Sequence, residues 1–140
     1  MKPYIIYTYL VGLVSFLIVD VAWVGLIAKD FYWERLGHIL VDRADMLPAL
    51  ILYSGLVAGN LGFTALPGIH ANSLAVTLKR AAAFGLLTYG TYDLTNQALT
   101  IDWPWIVTVV DMIWGASVNC IIGTVMFFSG RTFKNRHNAE

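Results

Sequence analysis

The sequence predicts an all-α integral membrane protein, a bundle of four transmembrane helices with an interfacial amphipathic helix between helices 1 and 2. Three observations predict it. Of 140 residues, 58% are hydrophobic and 13% charged, and the mean hydropathy is +0.66. A soluble chain this small could not bury so much apolar surface, because its surface-to-volume ratio leaves a large share of residues facing solvent. The apolar residues gather in four runs, 4–28, 47–66, 80–99 and 104–128, each close to the ~20 residues that a helix needs to cross ~30 Å of hydrocarbon. None of these runs alternates with the period of two that marks the strands of a membrane barrel.

The formal net charge is zero, so no basic surplus points to nucleic acid, and the expected partner is the lipid bilayer. The single cysteine, Cys120, has no second thiol for a disulfide or a cysteine metal site. Residues 1–130 read as one transmembrane domain and residues 131–140 as a hydrophilic, flexible tail.

The first run opens with Lys2, Pro3, Tyr4 and Tyr7, a charge with aromatics suited to the headgroup level. It is too long for the h-region of a signal peptide and contains Asp20, so it reads as an uncleaved helix. Gly12, Phe16, Asp20, Trp23 and Ile27 form one stripe along it, which must face protein because lipid offers a carboxylate no partner. The connection 29–45 carries Lys29, Asp30, Glu34, Arg35, Asp42, Arg43 and Asp45, while Tyr32, Leu36, Ile39 and Leu40 keep helical spacing; this pattern predicts an amphipathic helix in the interface. His38 lies in this connection without a second histidine or cysteine at ligand spacing, so no metal site is expected.

The second helix begins near Pro48, which suits a first turn. Gly55, Ala58, Gly59 and Gly62 give it a small-residue face with a G-x-x-x-G pair, where another backbone can approach and where a second copy of the chain could pack. Residues 67–73 read as a turn, and Lys79 and Arg80 mark the aqueous start of the third helix. Within that helix Tyr89, Tyr92, Asp93 and Asn96 fall at i, i+3, i+4 and i+7, on one face. An aspartate at the centre of a membrane helix costs roughly 3 kcal/mol, so Asp93 is expected to face the bundle interior. Trp103-Pro104-Trp105 then anchors the start of the fourth helix at the interface. That helix carries Thr108, Asp111, Gly115 and Asn119 as a polar and small stripe, with Trp114 beside it.

Four crossings place both termini on one side, with six of the nine basic residues: Lys2, Lys79, Arg80, Arg131, Lys134 and Arg136. The positive-inside rule then puts both termini in the cytoplasm. In that orientation Asp20, Asp93 and Asp111 all lie roughly 9 to 12 Å below the outer rim, at 1.5 Å per residue, and Tyr53 joins them. The predicted intramembrane site is therefore Asp20, Trp23, Tyr53, Tyr89, Tyr92, Asp93, Asn96, Asp111, Trp114 and Asn119. The two Asp-x-x-Trp pairs do not behave as an inverted repeat, which would set them at mirrored depths; a shared site layer accounts for them better.

Tyr92-Asp93-Leu94-Thr95-Asn96, Asp20-x-x-Trp23, Leu36-Gly37-His38, Trp103-Pro104 and Asp111-x-x-Trp114-Gly115 together resemble the domain of unknown function 2177 family of small bacterial membrane proteins. The resemblance covers nearly the whole chain, with Ala98-Leu99-Thr100 departing from the family's pattern. It implies a four-helix protein of the bacterial inner membrane and no particular reaction.

Function classes separate on the same residues. Intramembrane acids mark ion and proton pathways, so the first expectation is proton- or cation-linked transport or the handling of a small polar ligand. An accessory or ligand-binding membrane subunit is the alternative. A lipid-modifying enzyme using paired acids comes third, since H-E-x-x-H, G-x-S-x-G and glycine-rich phosphate loops are all missing. The balance leans away from an enzyme, and no cofactor is expected.

Overall fold

A computed structural model describes residues 2–41 and 43–137, and all their regular structure is helical. Asp42 of the connection and residues 138–140 of the expected tail lie outside the described residues. Helix α1 (Pro3–Ala22) starts with its proline where a missing N–H costs nothing and passes through one π-helical stretch, Trp23–Ile27. It then turns at Ala28 into α2 (Lys29–Leu36). Gly37 caps α2, so Ile39 and Leu40, which continue its spacing in the sequence, fall beyond its end and are exposed. Leu36 is buried with Trp103 and Val107, with Phe31 and Tyr32 beside them. Helix α2 thus folds back over one end of the molecule.

Helix α3 (Met46–Asn60) is capped by Asp45, whose carboxylate accepts the Leu47 N–H at 3.0 Å. A second π-helical stretch, Leu61–Ala65, leads into α4 (Leu66–Ala71). The turn expected over 67–73 is narrower than that, because Pro67 fits a first helical turn and the chain reverses only at Asn72, in the left-handed region at φ 50°. Pro67 has no N–H for the Phe63 carbonyl four residues back, and the Arg80 guanidinium donates to that carbonyl instead, at 3.3 Å. Helix α5 (Leu74–Leu99) starts ahead of Arg80 because the Ser73 hydroxyl caps it, accepting from the Val76 N–H at 3.4 Å. Helix α6 (Trp105–His137) runs on into the segment read as tail.

Among the described residues, three stretches are long and apolar enough to cross a membrane: Pro3–Ile27, Met46–Ala71 and Trp105–Arg136. Helix α5 matches them in length, at 26 residues, but Asp93, Asn96, Gln97 and its tyrosines and threonines lower its hydropathy. It lies packed along α6, which also packs along α1. The core contains Phe16, Val57, Leu61, Val118, Ile122 and Met126. At the α5–α6 contact a Cβ on Gly85 would collide with the Gly115 carbonyl and lie 2.8 Å from Ala116 Cα, so the two backbones touch and only glycine fits.

The second span packs unevenly. Its half nearer the chain termini, from Gly59 through α4, meets α5, where the Phe84 ring sits against Gly59 and stacks near Phe63 at 6.1 Å. Its half nearer α2 packs on α1 and has no extended interface with α5. On the small-residue face, Gly55 and Gly62 meet nothing within 4 Å, while Gly59 takes Phe84.

Candidate functional site

Burial on α1 repeats every fourth residue, Tyr4, Thr8, Gly12, Phe16 and Asp20, which carries the carboxylate at the end of the stripe into the interior. Asp20 is 5% exposed. Its Oδ2 accepts from the Tyr53 hydroxyl at 2.8 Å and its Oδ1 from the Trp114 indole N–H at 3.2 Å. Asp111, on α6, accepts from the Tyr32 hydroxyl, and the Trp23 indole N–H donates to that same hydroxyl at 3.1 Å. The two tryptophan rings stack with centroids 4.2 Å apart. The Asp-x-x-Trp pairs are therefore crossed: Trp114 serves Asp20, and Trp23 reaches Asp111 through Tyr32.

These groups surround a cavity of about 410 Å³ between α3 and α5, beneath α2. Asp20, Tyr53, Tyr89, Tyr92, Asp111 and Trp114 line it, together with apolar walls from Val24, Leu36, Leu52 and Leu56. Tyr89 lies within electrostatic reach of Asp20, Asp111, Tyr53 and Tyr32, and its hydroxyl bonds to no described residue. Burial, and then the hydrogen bond to Asp111, push the Tyr32 phenol up from its ordinary pKa, so it remains a donor at neutral pH.

Asp93 is fully buried and does not line this cavity, and no described donor reaches either of its carboxyl oxygens. Its interacting neighbour is the Asp111 carboxyl. No lysine or arginine lines the cavity, and the ion pair formed among the described residues, Arg35 with Glu34 at 3.7 Å, lies at the surface. No group of three or more His, Cys, Asp or Glu among the described residues is arranged to hold a metal ion.

Four of the ten predicted site residues do not line the cavity: Trp23 and Asp93 adjoin its lining residues, and Asn96 and Asn119 stand apart. Asn96 donates to the Tyr92 carbonyl at 3.1 Å, one turn back on its own helix; near the end of α5 it is past the cavity. Asn119 lies two turns along α6 from Asp111, roughly 12 Å at 1.5 Å per residue. There it builds a separate buried cluster: Asn60 Nδ2 donates to Asn119 Oδ1 at 2.7 Å, Thr64 donates to Asn60 Oδ1 at 2.6 Å, and Asn119 Nδ2 donates to the Gly115 carbonyl at 2.8 Å. Every amide there finds a partner, which marks it as packing glue.

The sequence reading missed Tyr32 and Trp103 as cavity residues. Tyr32 shares its helix face with Leu36, a pattern that fits lipid headgroups as well as a fold-back over the bundle. Trp103 donates to the Thr108 hydroxyl at 3.1 Å, and that hydroxyl bonds to Gln97; the loop just before α6 is thereby held as one wall. A further hollow of about 610 Å³ on the outer face of α5 and α6 is walled by Leu86, Leu87, Leu94 and Met112 with two threonines, and holds no ionisable group.

A family model described as a predicted membrane protein (DUF2177) matches residues 5–128. No curated protein and no solved structure matches the chain.

Proposed function

Because the chain belongs to the DUF2177 family of predicted membrane proteins, we propose that it spans a bacterial inner membrane four times, with α5 as the fourth crossing. In this arrangement both termini are cytoplasmic and α2 lies at the outer interface. Its function is proton- or cation-linked handling of a small ligand within the membrane. The observation that carries this reading is a pair of carboxyl groups, Asp20 and Asp111, on the wall of one cavity that no lysine or arginine lines, with a third, Asp93, fully buried within reach of Asp111. Such a group of acids in low dielectric needs protons or a cation to balance it. Asp20 is fixed there by Tyr53 and Trp114, and Asp111 by Tyr32.

Flux into proteoliposomes, measured across candidate cations and under an imposed pH gradient, tests this. Native protein should support a flux that Asp93→Asn removes; equal flux from both would defeat the proposal. The alternative is an accessory or ligand-binding subunit, favoured by the open Gly55 and Gly62 positions on the second span. Self-association through that face, or a stoichiometric companion on gentle purification from native membrane, would support it.

A further inference from the structure

We infer that the cavity receives a lipophilic organic cation, a hydrophobic amine or onium ion, which enters sideways from the bilayer through the gap between α3 and α5. The inference rests on the reading above that the acids handle positive charge, and it names the chemical class of that charge.

The gap comes first. On the side nearer α2 the second span leans on α1 and leaves α5 uncovered. The edges of the opening are Leu52 and Leu56 on α3 and Thr88 and Tyr92 on α5. Leu52 and Tyr92 are 58% and 61% exposed, and both lie on spans whose outer surface meets acyl chains. α2 and Trp103 cover the cavity on the aqueous side. The way in is therefore through hydrocarbon, which admits a molecule that dissolves in it.

The lining decides between kinds of cation. A hard metal ion requires about six oxygen ligands to replace its water. Here the two lining carboxylates already accept from Tyr53, Trp114 and Tyr32, and most of the remaining wall is apolar. A bare inorganic ion would lose water without replacement. An organic cation carries its own apolar surface to match Leu52, Leu56 and Val24, and its diffuse charge is met by Asp20 and by the aromatic faces of Trp114 and Tyr89. A cavity of about 410 Å³ lies within the range that takes small organic ligands.

The test is equilibrium binding to the purified full chain in lipid nanodiscs, with tetraphenylphosphonium as the probe and tetraphenylborate, of the same shape and opposite charge, as its control. Saturable binding of the phosphonium alone is expected, with affinity at least tenfold weaker in Asp20→Asn. A Thr88→Phe variant, which puts bulk at the mouth without touching an acid, should also weaken binding at least tenfold. It keeps the test decisive if Asp20→Asn does not fold. Equal uptake of both ions, or unchanged affinity in Thr88→Phe, overturns the inference. Sodium or potassium binding without phosphonium binding overturns the organic cation while leaving the cation-handling function standing; absence of any carboxyl-dependent flux removes that function instead.

Discussion

The indole rings of Trp23 and Trp114 lie 4.2 Å apart and 9° from parallel, so the two Asp-x-x-Trp pairs meet ring to ring while the Trp114 N–H donates to Asp20 and the Trp23 N–H to Tyr32, which in turn donates to Asp111. Replacing Trp114 with phenylalanine keeps a ring in the stack and removes the donor to Asp20. This should lower the thermal midpoint in detergent by the equivalent of about 1 kcal/mol. Trp114→Ala should fall further, by an additional ~0.5–1.5 kcal/mol for the lost stack. A phenylalanine variant that melts with the native protein would show that the indole N–H contributes nothing.

Glycines on the two sides of the molecule should respond oppositely to alanine. A methyl on Gly85 meets backbone atoms of Gly115 and Ala116, which cannot rotate away, so Gly85→Ala should cost about 1–3 kcal/mol. Gly55 has no neighbour within 4 Å, and Gly55→Ala should be neutral or stabilising by up to ~1 kcal/mol. Melting both variants in one detergent checks the order, and a reversed order would refute the close α5–α6 approach.

In the Asn60–Asn119 cluster, the single substitution Asn119→Leu removes the side-chain acceptor of the Asn60 amide, leaving it the backbone carbonyl of residue 119 at 3.2 Å, and should destabilise by about 1–2 kcal/mol. Truncating the partner as well, in Asn60→Leu with Asn119→Leu, should cost less than the sum of the two single changes. A double-mutant cycle on melting midpoints reads the coupling; additive effects would show that the two amides do not support each other.

Asp93→Asn is isosteric and gives Asp111 an N–H donor in place of a second carboxyl group. The variant should fold, with a melting midpoint no lower than the native one, while ion flux is lost. A drop in midpoint comparable to a core truncation, about 2 kcal/mol or more, would mean that the acid is held for packing alone.

Helices were legible wherever apolar length and spacing agreed, as at Pro3–Ile27 and Trp105–Arg136. Depth counting along the sequence set Asp20, Asp93 and Asp111 at one level; Asp20 and Asp111 line one cavity, and Asp93 is buried without lining it. Spacing reveals which residues share a face but not how far along that face a neighbour extends. For this reason Asn96 and Asn119, on the same stripes as Asp93 and Asp111, end up outside the cavity. The fold-back of α2 was equally hidden, because Tyr32 and Leu36 have the same spacing whether they cover lipid headgroups or Trp103. The crossed bonding of the two Asp-x-x-Trp pairs depends on side-chain reach between antiparallel helices, which no periodicity encodes.

The second span is clamped at one end and nearly free at the other. Around Phe84 and α4 it is wedged among its neighbours, whereas toward Met46 it leans chiefly on α1, with the Tyr53–Asp20 bond and the 3.3 Å contact of the Tyr9 hydroxyl with the Ser54 carbonyl as its polar ties. The opening between α3 and α5 is thus bordered by the least braced length of the second span, while the wedged end closes off the floor beneath it.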